Sequence, residues 1–384
     1  MIPQSFRPLT RLVWHAERPS QWDDVLAAAQ VNDLLPLVAF RAQAWEGSLP
    51  TEVRERLHCA RLRAVARQAV AAHHIAQLGR LATALDMGLI LLKGPALARR
   101  YPHPAARTFR DLDVLAASEK GAHLLTRALQ EQGYEPRSTC RALGQVPTLY
   151  PSDTGLRVDI HYCLGESRWQ LPMAETWRRA SPSSDHAGMW ALERVDHALY
   201  LMTHAMGHTL AIGLRWLYDL TCWTRDWQPA AWEMLVTRAR QWGMTPTLQL
   251  ACGLWAWVQE AAWEELPWEP LIEPPPLDVL ALAQRAIVGG TPRLPKAWRD
   301  GAGQGAGGWL RYGWQVLTQG GQIGLRGVPR RLTYLVRQHG PALWRLARGE
   351  HEARAGWSQQ RRLYAWLAGQ GSGARNRGED DVWH

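Results

Sequence analysis

Cysteine is scarce in this chain of 384 residues, and lysine is scarcer still. The five cysteines are scattered and never form a CxxC pair, which argues against a zinc ribbon and a disulfide framework. A chain without disulfides suits a reducing compartment, so we predict a cytoplasmic protein. Residues 1–20 lack an uninterrupted apolar core, and we therefore expect no signal peptide.

Long apolar runs are also missing. The most apolar stretch covers residues 248–258, far short of the about 20 residues that a membrane-spanning helix needs. We therefore predict no transmembrane segment. The hydrophobic fraction of 46% is nevertheless ordinary for a folded protein, and the chain is long enough to bury a core.

The charge is unbalanced toward basic residues, with a formal net charge of +9. Lysine occurs only at positions 93, 120 and 296, so almost all of the positive charge comes from arginine. Such an excess favours phosphate-rich partners such as nucleotides, nucleic acid or an anionic membrane surface. A GC-rich genome produces the same arginine-rich and tryptophan-rich composition, so both interpretations stay open.

The spacing of apolar residues predicts an α+β fold, in which a small mixed β-sheet is flanked by helical regions on both sides. We predict helices over residues 22–45, 51–87, 119–132, 196–226, 230–243 and 245–263. The predicted organisation is a helical region at 1–85, an α/β core at 86–180, a helical domain at 181–275, a basic Trp/Arg-rich helical region at 276–366 with a glycine-rich linker at 301–308, and a disordered tail at 367–384.

Short apolar runs and turn residues predict the strands of the core. Residues 88–92 read as a buried strand, and residues 111–116 alternate polar and apolar side chains. Residues 148–150 and 156–163 are predicted to form an antiparallel pair around a turn at 152–155.

Two carboxylates stand out on the strand at 111–116. Asp111 and Asp113 are two positions apart, so they project from the same face of that strand. Adjacent carboxylates repel each other unless a cation lies between them, and Mg²⁺ favours such oxygen ligands together with substrate phosphates. Two metal ions held in this way can clamp the attacking and leaving oxygens of nucleotidyl transfer. The alternative is a solvated strand edge that carries acidic residues.

A third carboxylate, Asp159, shares a strand face with His161. If this strand pairs with the strand at 111–116, Asp159 completes the acidic site. His161 would then contact phosphate or orient the attacking group.

A phosphate-binding turn is predicted at Lys93 and Gly94, where a strand ends and a helix begins. Backbone N–H groups at the start of a helix favour phosphate, and glycine allows a phosphate to approach closely. The lysine adds a positive charge for the triphosphate. Arg107 and Arg110 precede the acidic pair and are further candidates for phosphate contacts.

In these motifs the sequence resembles the polymerase-β-like nucleotidyltransferase superfamily. That pattern is a glycine-led turn, a helix, a strand with two acids one residue apart, and a later strand with a third acid. The resemblance is closer to a poorly characterised bacterial branch with a Lys-Gly turn in place of the usual Gly-Gly or Gly-Ser. The matching residues are Lys93-Gly94, Arg107, Asp111-Leu112-Asp113 and Asp159-Ile160-His161.

The resemblance implies metal-dependent transfer of a nucleoside monophosphate from an NTP, with ATP as the first candidate, and release of pyrophosphate. The acceptor is a peptide, a protein, a small molecule or tRNA. The catalytic residues and ligands of Mg²⁺ or Mn²⁺ would be Asp111, Asp113 and Asp159. The nucleotide would be bound by Lys93, Gly94, Arg107, Arg110, His161 and His208.

His208 enters this set because the resembling branch has histidines in a comparable helix. His204 and His208 are four residues apart, a spacing that suits zinc, but the sequence shows no third ligand and favours a core or interface role for the pair. Arg215 and Asp219 have the same spacing and are predicted to form a salt bridge within their helix.

Residues 309–366 mix arginine with tryptophan and leucine. This pattern is compatible with contact to nucleic acid or to a membrane surface, although it favours a packed helical subdomain. Two alternatives to an active enzyme follow. One is a toxin-like or RNA-binding protein with a degenerate transferase site, and the other is a scaffold that binds nucleotide without turnover.

Overall fold

The computed structural model describes residues 2–136, 144–151, 155–164, 171–208, 210, 213–269, 271–288 and 351–368. The predicted turn at 152–155, the linker at 301–308, most of the basic region at 309–366 and the tail at 367–384 lie wholly or largely outside these ranges. The proposed contact of 309–366 with nucleic acid or a membrane surface therefore stays a prediction.

A mixed sheet of seven strands forms the centre of the described chain, and the predicted α+β fold class is confirmed. The strands are β1 (Leu89–Leu91), β2 (Asp111–Ala116), β3 (Tyr134–Pro136), β4 (Leu149–Pro151), β5 (Arg157–His161), β6 (Ser181–Pro182) and β7 (Trp190–Ala191). Their order across the sheet is β3-β4-β5-β2-β1-β7-β6. Strand β2 runs parallel to β5 and antiparallel to β1.

Helices surround this sheet. They are α1 (Arg7–His15), α2 (Asp23–Val31), α3 (Leu35–Arg41), α4 (Thr51–Ala84), α5 (Lys93–Ala98), α6 (Glu119–Glu131), α7 (Met173–Arg179), α8 (Arg194–Gly207), α9 (Arg215–Thr224), α10 (Pro229–Gln241), α11 (Thr245–Gln259), α12 (Leu277–Val288) and α13 (His351–Leu367). Short 3₁₀ helices cover Ala42–Ser48, Pro104–Ala106 and Trp263–Glu265.

The single helix predicted over residues 22–45 is wrong, because the chain breaks between α2 and α3. Asp33 adopts a left-handed backbone conformation with φ of 55°, which interrupts the helix. Pro36 follows in the first turn of α3, where its missing N–H costs no hydrogen bond. The break separates two short helices that pack against each other.

The helix predicted over residues 196–226 is also divided, into α8 and α9. Gly213 lies between them with φ of 71°, a conformation that favours glycine. A Cβ atom at this position would lie 2.8 Å from the side-chain oxygen of Asn32. The same oxygen accepts a hydrogen bond of 2.8 Å from the backbone N–H of Leu214. The side chain of Asn32 thus connects the break between α2 and α3 to the break before α9.

Strands β6 and β7 lie at the start of the segment 181–275, before its first predicted helix at 196–226, and the sequence did not predict them. Each has two residues, too few for a periodic apolar pattern. They form because β7 pairs with β1, a contact between distant parts of the chain.

The two faces of the sheet belong to different cores. Leu112 and Val114 of β2 pack with residues of α4 and α6 on one face. Leu115 faces the other way and joins the core that the helical regions share. Asp111 and Asp113 point to the same side of β2 as Leu115 does. They therefore lie on the face of the sheet that is turned toward the large helical core.

The buried residue His197 in α8 leads to a prediction about stability. Its ring is 2% exposed, lies 4.4 Å from the ring of Trp223 between centroids, and has no hydrogen-bond partner for Nε2 within the described residues. Burial lowers the pKa of His197 from 6.5 to about 4. The unfolded chain therefore binds a proton between these pH values that the folded chain does not bind.

We expect the free energy of unfolding to fall as the pH is lowered from 6.5 toward 4. In His197→Phe this pH-dependent loss should be smaller by up to about 3 kcal/mol, because the phenylalanine side chain does not bind a proton. Urea unfolding at pH 7, 5.5 and 4.5 measures the effect. His58→Gln, which changes an exposed histidine of α4, is the control. If the free energy of unfolding changed with pH by the same amount in wild type and in His197→Phe, the prediction would be contradicted.

Candidate functional site

The acidic site is assembled by the pairing of β2 with β5. In this parallel pair Asp113 is the direct partner of Asp159, and Asp111 is the partner of Arg157. Because direct partners in neighbouring strands project to the same side, all three carboxylates share one face of the sheet. The strand pairing on which the position of Asp159 depends is therefore present.

Asp113 is the central carboxylate and is only 4% exposed. Its Oδ1 lies 2.8 Å from Lys93 Nζ and 3.0 Å from His161 Nε2. Burial raises the pKa of Asp113, but the Lys93 ammonium and the His161 ring lower it by more, so it lies well below its usual range. Burial lowers the pKa of Lys93, but the charge and hydrogen bond of Asp113, together with Tyr200 and Asp111, raise it by more, so it lies above its usual range. Both groups are therefore charged.

Arg157 connects the other two carboxylates. Its Nη2 lies 2.5 Å from Asp111 Oδ2, and its Nε lies 3.3 Å from Asp159 Oδ2. Thr148 donates a hydrogen bond of 2.5 Å to Asp159 Oδ1. Burial, followed by the charge of Asp113, raises the pKa of Asp159. The pKa values of the two paired aspartates are thus displaced in opposite directions, a pattern typical of acid-base sites.

Helix α8 lines one side of the acidic site with Tyr200 and His204, and the sequence did not predict a role for Tyr200. The Lys93 Nζ atom lies 5.9 Å from the ring centroid of Tyr200, and this ring lies 6.0 Å from that of His204. Burial raises the pKa of Tyr200, and burial together with the Lys93 charge keeps the pKa of His204 well below its usual value. In the sequence, the four-residue spacing of Tyr200 and His204 on an apolar helix was the signal that could have indicated their shared position.

The second histidine of the predicted pair, His208, lies at the C-terminal end of α8. Its ring centroid is 4.4 Å from that of His204, and its side chain is exposed. His204 lies deeper, within electrostatic reach of Lys93 and Asp113. The structure therefore places His204 at the acidic site and His208 near its margin.

The Lys-Gly turn lies at the junction of β1 and α5. Lys93 has a left-handed backbone conformation with φ of 49°, and its side chain turns toward Asp113. Gly94 is buried, and a Cβ atom there would lie 2.9 Å from the Cβ of Phe109. The close approach of α5 to the segment before β2 thus explains why position 94 holds a glycine.

Gly94→Ala is therefore expected to destabilise the fold by about 1–3 kcal/mol, because the added methyl group overpacks the contact with Phe109. Denaturant unfolding measures this change. Gly47→Ala is a matched control, since an added Cβ meets nothing within 4 Å in the described chain. Equal stability of the two variants would contradict the packing role of Gly94.

The two arginines before β2 have different positions. Arg107 is buried, and its Nε and Nη2 donate to the two carboxylate oxygens of Asp219 at 2.6 and 2.8 Å. Arg110 is 78% exposed and lies 3.5 Å from Asp33. Arg107 thus links β2 to α9, whereas Arg110 remains accessible beside the acidic site.

The predicted salt bridge between Arg215 and Asp219 is wrong. Asp219 pairs with Arg107, and Arg215 lies 3.1 Å from Asp33. The four-residue spacing allowed the local pair, but burial of Arg107 requires a charged partner that satisfies several of its donors.

The sequence model of a family described as uncharacterised nucleotidyltransferases matches residues 18–258, more than half of the chain. The protein belongs to this family. Its members are transferases, and an NTP is the implied substrate. No curated protein matches the chain.

The acidic site of this nucleotidyltransferase has the ligand chemistry that a hard divalent cation requires. Three carboxylates on one face provide oxygen ligands of the kind that Mg²⁺ and Mn²⁺ bind. Among the described residues, however, no group of three or more His, Cys, Asp or Glu side chains is already arranged around one point. Lys93 pairs with Asp113 and Arg157 bridges Asp111 and Asp159, so the donor set fits a metal only when these cations move.

A cavity of about 730 Å³ lies between α4, α5 and residues 185–188, and none of the three carboxylates lines it. Among the helices that the structure describes, none combines the length and the apolar character of a membrane crossing.

Proposed function

We propose that this nucleotidyltransferase uses a divalent metal to move a nucleoside monophosphate from an NTP, with ATP as the donor, to an acceptor. The proposal assigns it the catalytic arrangement of the polymerase-β-like superfamily. One observation carries it: the register that pairs Asp113 with Asp159 puts both on the same strand face as Asp111. The acceptor is a peptide, a protein, a small molecule or tRNA.

In the proposed reaction, an acceptor oxygen attacks the α-phosphorus as the bond to the bridging oxygen breaks and pyrophosphate leaves. Asp111, Asp113 and Asp159 hold Mg²⁺ or Mn²⁺, which neutralises developing charge when bound. Asp159 takes the proton of the attacking hydroxyl. Its raised pKa suits this task better than the lowered pKa of Asp113 does.

The nucleotide side is proposed from the positions of the basic groups. Lys93 and the exposed Arg110 contact the triphosphate, and His161 orients Asp113 through their hydrogen bond. Gly94 and Arg107 act through packing and through the ion pair that places β2. His208 contacts the nucleotide from the margin, and the whole reaction is proposed to occur in the cytoplasm.

Transfer of label tests the function. The protein is incubated with each NTP labelled at the α-phosphate, with Mg²⁺ and with cell extract as the source of acceptor. We expect one extract component to become labelled, and Asp111→Ala together with Asp113→Ala to abolish the labelling. Unchanged labelling by this double variant would reject the site.

A protein with a degenerate site that binds RNA is the second candidate. The ion pairs that Lys93 and Arg157 make already neutralise most of the carboxylate charge, and the chain carries a net charge of +9. RNA affinity measured against salt concentration distinguishes this candidate. It predicts affinity that falls steeply with salt and no transfer of label.

A further inference from the structure

Lys93 and Arg157 are the lysine and the arginine that lie within ion-pair distance of the three carboxylates in the described part of the chain. We infer that they are internal counter-cations, which the carboxylates exchange for metal only when a triphosphate gives Lys93 and Arg157 new anionic partners. Metal binding and nucleotide binding are then obligatorily coupled. This inference rests on the proposed function.

Every one of the three carboxylates already has a basic partner. Lys93 Nζ lies 2.8 Å from Asp113, and Arg157 lies 2.5 Å from Asp111 and 3.3 Å from Asp159. Each of the three carboxylates therefore has a cation within ion-pair distance. A divalent ion held by all three carboxylates would therefore compete with Lys93 and Arg157 for them.

The balance of charge explains why displacement needs the nucleotide. Three carboxylates face one lysine and one arginine, whatever the charge of His161, so adding a divalent ion to the unchanged cluster would leave an excess of positive charge in a part-buried site. Like charges repel strongly at such short distances in a low dielectric. A triphosphate supplies the missing negative charge, and a guanidinium and an ammonium are both suited to bind its oxygens.

Each cation has a favourable place to go when it leaves its carboxylate. The Arg157 side chain is 43% exposed, so it can turn outward without becoming a buried, isolated charge. The Lys93 side chain is 16% exposed, and the Tyr200 ring 5.9 Å away gives the ammonium a second favourable neighbour as it leaves Asp113. The exchange needs side-chain rotation but no movement of the sheet.

Arg157 thereby gains a role that neither the motifs nor the family membership assigns. It positions Asp111 and Asp159 before the nucleotide binds, and it binds phosphate afterwards. Because coupling between two ligands is reciprocal, metal must also strengthen nucleotide binding by the same factor.

Direct titration with Mn²⁺ tests the coupling without a need for turnover. Binding is measured by calorimetry and by the electron paramagnetic resonance signal of free Mn²⁺, with and without an ATP analogue that has a methylene group between the α- and β-phosphates. For wild type, we expect the analogue to strengthen Mn²⁺ binding by at least about tenfold, after correction for the Mn²⁺ that the analogue binds alone.

Removing a counter-cation should have the same effect as the nucleotide. Without the analogue, Lys93→Met and Arg157→Gln are each expected to bind Mn²⁺ at least about tenfold more tightly than wild type, because one competing charge is lost. Lys120→Met removes the same charge from the exposed surface of α6 and should change nothing. Arg157→Gln serves as an independent variant if Lys93→Met does not fold.

The outcomes separate this inference from the proposed function. Tight Mn²⁺ binding by wild type that the analogue does not change, or variants that bind Mn²⁺ as weakly as wild type, would overturn the coupling and leave the transferase intact. Absence of Mn²⁺ binding from wild type with analogue and from both variants would overturn the metal-dependent function, and the coupling with it.

Discussion

Asp113→Asn is expected to lower nucleotidyl transfer by at least about 10³-fold, which corresponds to about 4 kcal/mol of transition-state stabilisation. Asparagine keeps the shape of the side chain but removes the charge that binds metal. Asp113 is the most buried of the three carboxylates, pairs with Lys93 and His161, and lies directly beside Asp159. The rate of label transfer from an α-labelled NTP measures the effect.

Asp185→Asn provides the matched control for this change. It removes the same charge from an exposed aspartate, which pairs with Arg99 at 3.2 Å on the surface. We expect full transfer by this variant, and a thermal unfolding midpoint of Asp113→Asn close enough to wild type for the assay temperature. If folded Asp113→Asn retained a tenth or more of the wild-type rate, the activation free energies of the two proteins would differ by about 1.4 kcal/mol or less. Asp113 would then not be a catalytic ligand.

Asp219→Ala is expected to destabilise the fold by about 3–5 kcal/mol, because it leaves the guanidinium of Arg107 buried without its partner. Asp219 is 2% exposed and Arg107 is 5% exposed. The carboxylate of Asp219 also accepts a hydrogen bond of 2.6 Å from Tyr101. Urea unfolding measures the loss.

Two further variants serve as references for the loss of stability in Asp219→Ala. Asp226→Ala removes an exposed carboxylate that pairs with Arg100 and Arg194, and should cost less than about 1 kcal/mol. The double variant Arg107→Met with Asp219→Leu should recover most of the lost stability, because it removes both buried charges. A loss for Asp219→Ala no larger than that for Asp226→Ala would contradict the structural role.

The same variants distinguish the two roles considered for Arg107. If Arg107 acts through its ion pair, the folded double variant should bind an NTP analogue as wild type does. If it contacts phosphate instead, the affinity should fall by roughly tenfold or more, as expected for the loss of a charge-assisted hydrogen bond.

Local patterns in the sequence predicted much of the central region. The strand at 111–116 has the predicted bounds, and the helix predicted at 119–132 is α6. The antiparallel pairing predicted for the strands that became β4 and β5 is confirmed. These features depend on alternation, caps and turn residues, all of which act between neighbours in the chain. The breaks at Asp33 and Gly213 escaped prediction because each depends on packing against the other.

The sequence by itself determined the strand that carries Asp111 and Asp113 and the face on which both lie, since a period of two residues decides this locally. Only the tertiary structure decided that Asp159 joins them, because strand register follows from burial of Val114 and Ile160 in a shared core. The tertiary structure also selected the partners of the charged groups. Lys93 meets Asp113 across 20 residues, and Arg107 meets Asp219 across 112, where burial rather than spacing chooses the pair.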